Sequence, residues 1–153
     1  HHLQIDSDDI FSADEKMTLL DELQSLDGQA ADFRNEQRLG DAISGIWQQH
    51  GDLYWLGESN ECRPVAQLRH PGSGRTLKVS TSNPCLQMYA GGGLDGTLTG
   101  KAGKPYPTFG ALCLECQGYP NAIGDGALHG FGDIVVPPGI PQRHSTIYQF
   151  STS

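Results

Sequence analysis

The apolar and polar residues of this chain alternate mostly with the short period of a β-strand. From about residue 52 onward, brief apolar or alternating runs are separated by turns rich in glycine and proline. The runs are LYWL, PVAQLRH, TLKVSTS, CLQMYA, ALCLECQ, IVVPP and TIYQFS, and HHLQID is a further short one at the start. This pattern predicts an all-β fold, built as a sandwich or barrel of antiparallel strands.

One segment near the start of the chain follows a helical period instead. In FSADEKMTLLDELQSL, Ser12 precedes Glu15 as in a helix N-terminal cap. Four apolar residues then recur at helical spacing, namely Met17, Leu20, Leu23 and Leu26. By pattern alone, this segment predicts a helix over residues 12–26. The next segment, ADFRNEQRLGDAISGIW, is polar and carries only a short apolar stripe.

Length and composition restrict the class of protein. The chain has 153 residues, of which 37% are apolar, which suits one domain with a hydrophobic core. Its 20 glycines and 9 prolines favour short strands over long helices. The 10 Lys and Arg residues are scattered among 18 Asp and Glu, giving a net charge of −8. We therefore expect no nucleic-acid partner and no membrane association, since both require a basic surface.

The four cysteines, Cys62, Cys85, Cys113 and Cys116, raise the question of a redox pair or a metal site. Cys113 and Cys116 have the spacing of a CxxC motif, which is compatible with a redox pair or half of a zinc site. However, residues three apart on a strand point to opposite faces, and no second Cys or His cluster completes a metal shell. We interpret the cysteines as buried, unpaired structural thiols, with no metal site. Free thiols suit a reducing, cytoplasmic compartment.

Two of the predicted strands carry polar residues on one face. In ALCLECQ, Glu115 and Gln117 share a face, and in CLQMYA, Gln87 and Tyr89 do so. One interpretation is that these are the solvated faces of antiparallel strands. The other is that Glu115 is a general base, which requires a pocket that raises its pKa toward neutrality.

Several segments resemble the aldose 1-epimerase (galactose mutarotase) family. ALCLECQGYPNAI is similar to the family strand in which LETQ is followed by an aromatic residue, Pro and Asp-Ala. SGRTLKVSTSNPCLQMYAGGGLDG is similar to the pattern that leads to a glutamine and a Gly-rich turn ending in Leu-Asp-Gly. ADEK, ADFR and the terminal VVPPGIPQRHSTIYQFS fit further family stretches in the same order. These matches are colinear over residues 1–153.

The resemblance implies a fold and a missing part. The family has a large antiparallel β-sandwich, and this chain matches its C-terminal portion as an incomplete sandwich of a single domain. Residues 12–26 are extended and irregular in that family, which argues against the helix. The family's acid histidine belongs to a His-x-Tyr-Phe-Asn-Leu stretch, and His1 and His2 match the segment that follows it. A complementary N-terminal segment or chain is therefore implied as a partner.

The resemblance also implies a reaction. In the family, a glutamate takes the proton of a hexose's anomeric hydroxyl while a histidine protonates the ring oxygen, so that the ring opens and recloses as the other anomer. Glu115 occupies the position of the glutamate, and Gln87 that of a substrate-binding glutamine. No metal or organic cofactor is implied, because the reaction needs only proton transfer. Four aromatic residues are candidates either for stacking on the sugar or for the core: Trp47, Tyr54, Trp55 and Tyr119.

Three departures from the family pattern affect the binding residues. In HGDLYWL, Gly51 aligns with a substrate-binding aspartate, so Asp52 takes that role only if the loop shifts by one residue. Asn121 stands where the family has aspartate, and Phe109 replaces a common histidine.

Two functions remain in view, and a third is less favoured. The first is an aldose 1-epimerase-like isomerase acting on galactose or glucose, with Glu115 as base and with the acid histidine in the missing half. The second is a non-catalytic carbohydrate-binding or regulatory module of the same fold. The third is an interaction subunit of the sandwich type.

Overall fold

The computed structural model describes residues 1–16, 18–46, 51–123, 130–131 and 135–152. The strands, in chain order, are β1 (His2–Ile5), β2 (Asp9–Ala13), β3 (Leu19–Ser25), β4 (Gln37–Arg38), β5 (Asp52–Trp55), β6 (Arg63–His70), β7 (Arg75–Thr81), β8 (Cys85–Tyr89), β9 (Cys113–Gln117) and β10 (Thr146–Thr152). The helical elements are α1 (Leu39–Ala42) and a short 3-10 helix (Lys101–Gly103). Within the described residues, no helix is long and apolar enough to cross a bilayer.

In the part of the chain that the structure describes, the ten strands form two five-stranded sheets. The first sheet has the order β10-β7-β6-β1-β4, and the second has the order β3-β2-β5-β8-β9. Every pairing within them is antiparallel. The predicted all-β fold of antiparallel strands is therefore confirmed.

The core lies between the facing sides of the two sheets. Leu3 and Ile5 of β1 contribute from the first sheet, and Leu86 and Met88 of β8 contribute from the second. All four are fully buried, and burying a side chain of this size stabilises the fold by about 2 kcal/mol. Tyr54 is also buried there, and its hydroxyl donates a hydrogen bond of 2.8 Å to the carbonyl oxygen of Ala31, so no buried polar group is left unpaired at that point.

The helix predicted over residues 12–26 is wrong. This region forms the β2–β3 hairpin, in which Phe11 pairs with Leu23 and the register shifts before Ala13. The Asp14 carboxylate accepts hydrogen bonds from the backbone N–H groups of Lys16 and Thr18 at 2.9 and 2.8 Å, which stabilises the turn. Backbone pairing with β2 overrides the leucine spacing, as the family resemblance implies. Met17 lies outside the described residues.

Most of the other predicted strands are present. Strands β1, β5, β6, β7, β8, β9 and β10 overlap the runs identified from the sequence, and none extends more than one residue beyond its run. The run IVVPP differs: its described part, residues 135–138, is not a strand, and Val135 and Val136 are exposed. In the polar segment after β3, the short apolar stripe contributes buried residues to the core. These residues lie in α1, a helix of a single turn.

Candidate functional site

The candidate site is built on the face of the second sheet that points away from the first sheet. β8 and β9 pair so that Gln87 lies directly opposite Glu115. Because side chains alternate along a strand, these two residues share one face, while Leu86, Met88 and Leu114 point into the core. Opposed residues of an antiparallel pair have Cβ atoms about 5 Å apart. The structure therefore brings the carboxylate and the amide together.

An apolar cluster lies on the same face, next to this pair. It is formed by Phe11, Leu53, Cys85, Tyr119 and Ala122, with Trp55 and Phe131 packed against it. Leu53 is the cross-strand neighbour of Gln87 on the side away from Glu115, so the cluster begins directly beside the polar pair. The rings of Phe11 and Tyr119 stack with centroids 4.5 Å apart. An apolar surface next to paired polar groups is the arrangement that suits a small polar ligand with C–H faces.

The four aromatic candidates divide between this cluster and the core. Trp55 and Tyr119 belong to the cluster. Tyr54 belongs to the core between the sheets, where burial raises the pKa of its hydroxyl well above the ordinary value. Trp47 lies outside the described residues.

Glu115 is exposed, and it lies on β9, an edge strand of the second sheet. The charge of its carboxylate acts on Cys113, two residues away on the same face. Partial burial raises the pKa of the Cys113 thiol, and the negative charge and hydrogen bond of Glu115 raise it further. Within the described residues, no pocket encloses the Glu115 side chain.

The structure does not bring Asp52 to the same face as Glu115 and Gln87. Asp52 begins β5 opposite Met88, whose side chain lies in the core, and the next residue, Leu53, is the one that pairs with Gln87. Gly51 has a φ of +77°, and a Cβ atom there would lie 1.8 Å from the carbonyl oxygen of Met88. This backbone therefore has no room for a side chain at residue 51.

A polar contact that the sequence did not predict ties the end of β9 to β3. The Tyr119 hydroxyl donates a hydrogen bond to Asp21 Oδ1, and Asn121 Nδ2 donates to Asp21 Oδ1 at 3.1 Å and to Oδ2 at 3.3 Å. Burial raises the pKa of the Tyr119 hydroxyl above its ordinary value, and the hydrogen bond to Asp21 adds to this effect.

This contact explains one departure from the family pattern. An amide at residue 121 donates to the Asp21 carboxylate, whereas a carboxylate at that position would repel it. Asp21 also adopts a φ of +55°, which favours glycine and is tolerated by Asp and Asn. Asn121 was visible as a departure, but no pattern in the sequence pointed to Asp21.

The cysteines are free, as the sequence predicts. Cys113 is exposed on the candidate face, while Cys116 is half-buried and interacts with Thr81 and Thr146 of the first sheet, so the two sulfurs diverge. Cys85 is buried, which raises the pKa of its thiol to about 12. The prediction of burial is wrong for Cys62 and Cys113, which are exposed. Within the described parts of the chain, no group of three or more His, Cys, Asp or Glu residues is arranged to hold a metal ion.

Comparison with known proteins gives consistent matches along the chain. The aldose 1-epimerase family model matches residues 1–149. Galactose mutarotase from Bos taurus is 35% identical over 154 residues, which cover 100% of this chain and 44% of that protein. Galactose mutarotase from Homo sapiens is 33% identical, with the same shares covered. The chain thus spans less than half the length of these curated relatives.

Two solved structures share the fold. A GalM/aldose epimerase homologue from C. elegans superposes with a TM-score of 0.77 at 21% identity, covering 99% of this chain and 45% of that one. Galactose 1-epimerase from Lactobacillus acidophilus NCFM gives a TM-score of 0.66 at 25% identity, covering 99% of this chain and 43% of that one. The two-sheet architecture and these superpositions together confirm the predicted fold. It is a mutarotase-like sandwich, of which this chain forms a part.

Proposed function

The chain belongs to the aldose 1-epimerase family, and from this we propose that it is the base-bearing part of an enzyme that interconverts the α and β anomers of a hexose such as galactose or glucose. The observation that carries the proposal is the direct cross-strand pairing of Glu115 with Gln87 on one face of the second sheet. These are the two residues that the family resemblance assigns to proton transfer and to substrate binding.

The proposed reaction needs one base and one acid. Glu115 takes the proton of the C1 hydroxyl, the bond between C1 and the ring oxygen breaks, and an acid delivers a proton to that oxygen. The product is the open-chain aldehyde; rotation about the C1–C2 bond and the reverse proton transfers close the ring as the other anomer. Gln87 holds a sugar hydroxyl through its amide, which donates and accepts hydrogen bonds without competing for the proton.

We propose that the acid is a histidine of a complementary N-terminal segment or chain. The family resemblance assigns the acid to a stretch that precedes the part matched here.

Asp52 remains a secondary candidate for binding sugar hydroxyls. Its register opposite Met88 means that the start of β5 must shift by one residue before the carboxylate reaches the face of Gln87. We also propose a cytoplasmic location, which the four free thiols support.

Polarimetry with α-galactose and α-glucose tests the proposed activity, using the chain together with its complementary segment. We expect accelerated mutarotation, and we expect Glu115→Gln to lower kcat by about 10²–10⁴-fold, the usual contribution of a general base. Glu22→Gln is the matched control, because it removes an exposed carboxylate from β3, the opposite edge strand of the same sheet. An equal rate in the wild type and in Glu115→Gln would reject Glu115 as the base.

The second candidate function is a non-catalytic carbohydrate-binding module. The observation that favours it is that Glu115 is exposed, so its carboxylate is solvated as an ordinary surface group is. Calorimetry distinguishes the two functions: saturable binding of galactose without any change in mutarotation rate would support the module. The absence of both binding and rate acceleration would reject both functions.

A further inference from the structure

The polar pair of the candidate site has a neighbouring row of side chains on each side along β8 and β9. Because side chains on one face recur at every second residue, one of these rows contains the cross-strand partners Cys85 and Gln117. The other row contains the cross-strand partners Tyr89 and Cys113. A hexose that contacts both members of the polar pair also extends over one of these rows.

The row of Cys85 and Gln117 is covered by the chain itself. Cys85 is 0% exposed, although it lies on the face of the sheet that points away from the core. It belongs to the apolar cluster together with Tyr119 and Ala122, which follow β9 and fold back over the sheet. The ring of Tyr119 reaches Phe11 of β2 and stacks on it. This side of the polar pair therefore has no room for a sugar.

The row of Tyr89 and Cys113 is open within the described residues. Cys113 is exposed and Tyr89 is half-buried. On the other side of Tyr89 lies Gly51, where a Cβ atom would be 2.9 Å from the Tyr89 Cα atom. Since Gly51 has no side chain, this neighbour does not cover the Tyr89 ring. The surface that is accessible next to the polar pair is therefore formed by Tyr89 and Cys113.

The hydroxyl group of Tyr89 is positioned by the backbone and can still donate a hydrogen bond. The backbone N–H of Gly93 donates a hydrogen bond of 3.1 Å to the Tyr89 hydroxyl oxygen. Gly93 belongs to the glycine-rich turn after β8, so this bond sets the direction of the hydroxyl group. A tyrosine hydroxyl is a donor as well as an acceptor. In the part of the chain that the structure describes, no acceptor takes its proton, which is therefore available to an oxygen atom of a ligand.

We propose that the sugar lies over Tyr89 and Cys113, and that the Tyr89 hydroxyl donates a hydrogen bond to one of the sugar's hydroxyl oxygens. This inference rests on the proposed sugar site. Tyr89 then contributes to binding and to discrimination among hexoses, and it takes no part in proton transfer. A neutral donor that is already in position holds the substrate and the transition state alike, so it lowers KM and leaves kcat unchanged.

Alkylation of Cys113 tests where the sugar lies. The chain and its complementary segment are treated with iodoacetamide, with and without galactose, and the modified peptides are quantified by mass spectrometry. We expect galactose at about ten times its Kd to slow modification of Cys113 about tenfold, since only about a tenth of the sites remain free. Cys62 is the internal control, because it is also exposed but precedes β6 of the other sheet. Galactose that binds in calorimetry without protecting Cys113 would overturn the proposed position.

Tyr89→Phe tests the hydrogen bond, because it removes the hydroxyl group and keeps the ring. We expect KM for galactose to rise about three- to tenfold and kcat to change by less than about twofold. Tyr148→Phe is the matched control, since it removes a hydroxyl that donates a hydrogen bond of 2.9 Å to the Leu114 carbonyl oxygen of β9. That control should leave KM within about twofold of the wild type. Equal rises of KM in the two variants would contradict a contact between Tyr89 and the sugar.

Deoxy sugars separate a direct contact from a loosened turn, because Tyr89→Phe also removes the acceptor of the Gly93 N–H. Calorimetry compares the wild type and Tyr89→Phe with galactose and with its 2-, 3-, 4- and 6-deoxy derivatives. We expect one derivative to bind both proteins equally, since it lacks the hydroxyl group that Tyr89 holds. A similar loss of affinity for all of these sugars would overturn the contact.

Failure of this inference and failure of the proposed function are distinguishable. Galactose that protects Cys113 without any accelerated mutarotation would refute the isomerase and leave the binding position intact. Mutarotation that depends on Glu115, with neither protection of Cys113 nor an effect of Tyr89→Phe, would refute the binding position only. If galactose does not bind at all, both are refuted.

Discussion

The edge formed by β3 and the side formed by the edge strands β9 and β10, here called the β9–β10 side, end the same sandwich in opposite ways. The β3 edge carries acidic residues, and its pairing with β2 has a register shift. Asp21 also ties this strand to Tyr119 and Asn121 through hydrogen bonds. On the β9–β10 side, a regular uncharged strand leaves the aromatic ring of Phe150 exposed next to the strand of Glu115. Charged groups and irregular register protect an edge strand from pairing with another chain, and β10 has neither of these features.

The largest effect is expected along the cross-strand row Leu3, Leu68, Leu77 and Phe150, which runs from the core to the β9–β10 side. Leu3→Ala should lower the free energy of unfolding by about 2–5 kcal/mol, because it leaves a cavity in a fully packed position. Phe150→Ala, at the other end of the row, should change the stability of this chain by less than about 0.5 kcal/mol. Urea unfolding followed by circular dichroism measures both. Similar losses for the two variants would mean that Phe150 is packed and that the β9–β10 side is closed.

A smaller effect is expected at the β3 edge. Asp21→Gly removes the acceptor of the Tyr119 hydroxyl and keeps a residue that adopts positive φ without strain. Removing this charged acceptor from the hydroxyl of buried Tyr119 should cost about 1–3 kcal/mol in the free energy of unfolding. Asp21→Asn is the control, since it retains an acceptor oxygen and also tolerates this backbone; it should recover part of the loss. If the glycine variant is as stable as the wild type, the contact does not hold β9 to β3.

The two regions also differ in how far the sequence predicted them. The alternation of polar and apolar residues was enough to put Glu115 and Gln87 on the faces of their strands and to identify β5 to β10, because side-chain direction follows strand period. That the two residues are cross-strand partners depends on register, which alternation within one strand does not fix. Their assignment as a site came from the family resemblance.

The β3 region was predicted least well, because its structure depends on residues far away in the chain. The leucine spacing favoured a helix, but pairing with β2 decided the outcome. Asp21 meets partners 98 and 100 residues away in the sequence, and no local pattern announces such a contact. The exposure of Glu115 is likewise a property of which strands neighbour β9, not of the residues within it.

The smallest effect concerns the ion pairs near the β3 end, where Arg34 Nη2 contacts Asp27 at 2.6 Å and Asp32 at 2.7 Å. Hydrogen bonding to Arg34 lowers the pKa of Asp32 below its usual 3.8. A lowered pKa in the folded state means that Asp32 stabilises the fold above its unfolded pKa, and that this contribution disappears as the pH falls through the folded value.

Urea midpoints of the wild type and Asp32→Asn should therefore differ at pH 7, and they should converge only when the pH has fallen below both the unfolded pKa of Asp32 and its lower folded pKa. Added salt should narrow the difference at pH 7, because an exposed ion pair is screened. Phe150→Ala should show neither dependence, since the β9–β10 side owes its properties to apolar exposure rather than charge. A gap between wild type and Asp32→Asn that widens on acidification would reverse the assigned sign and place the stabilising charge elsewhere.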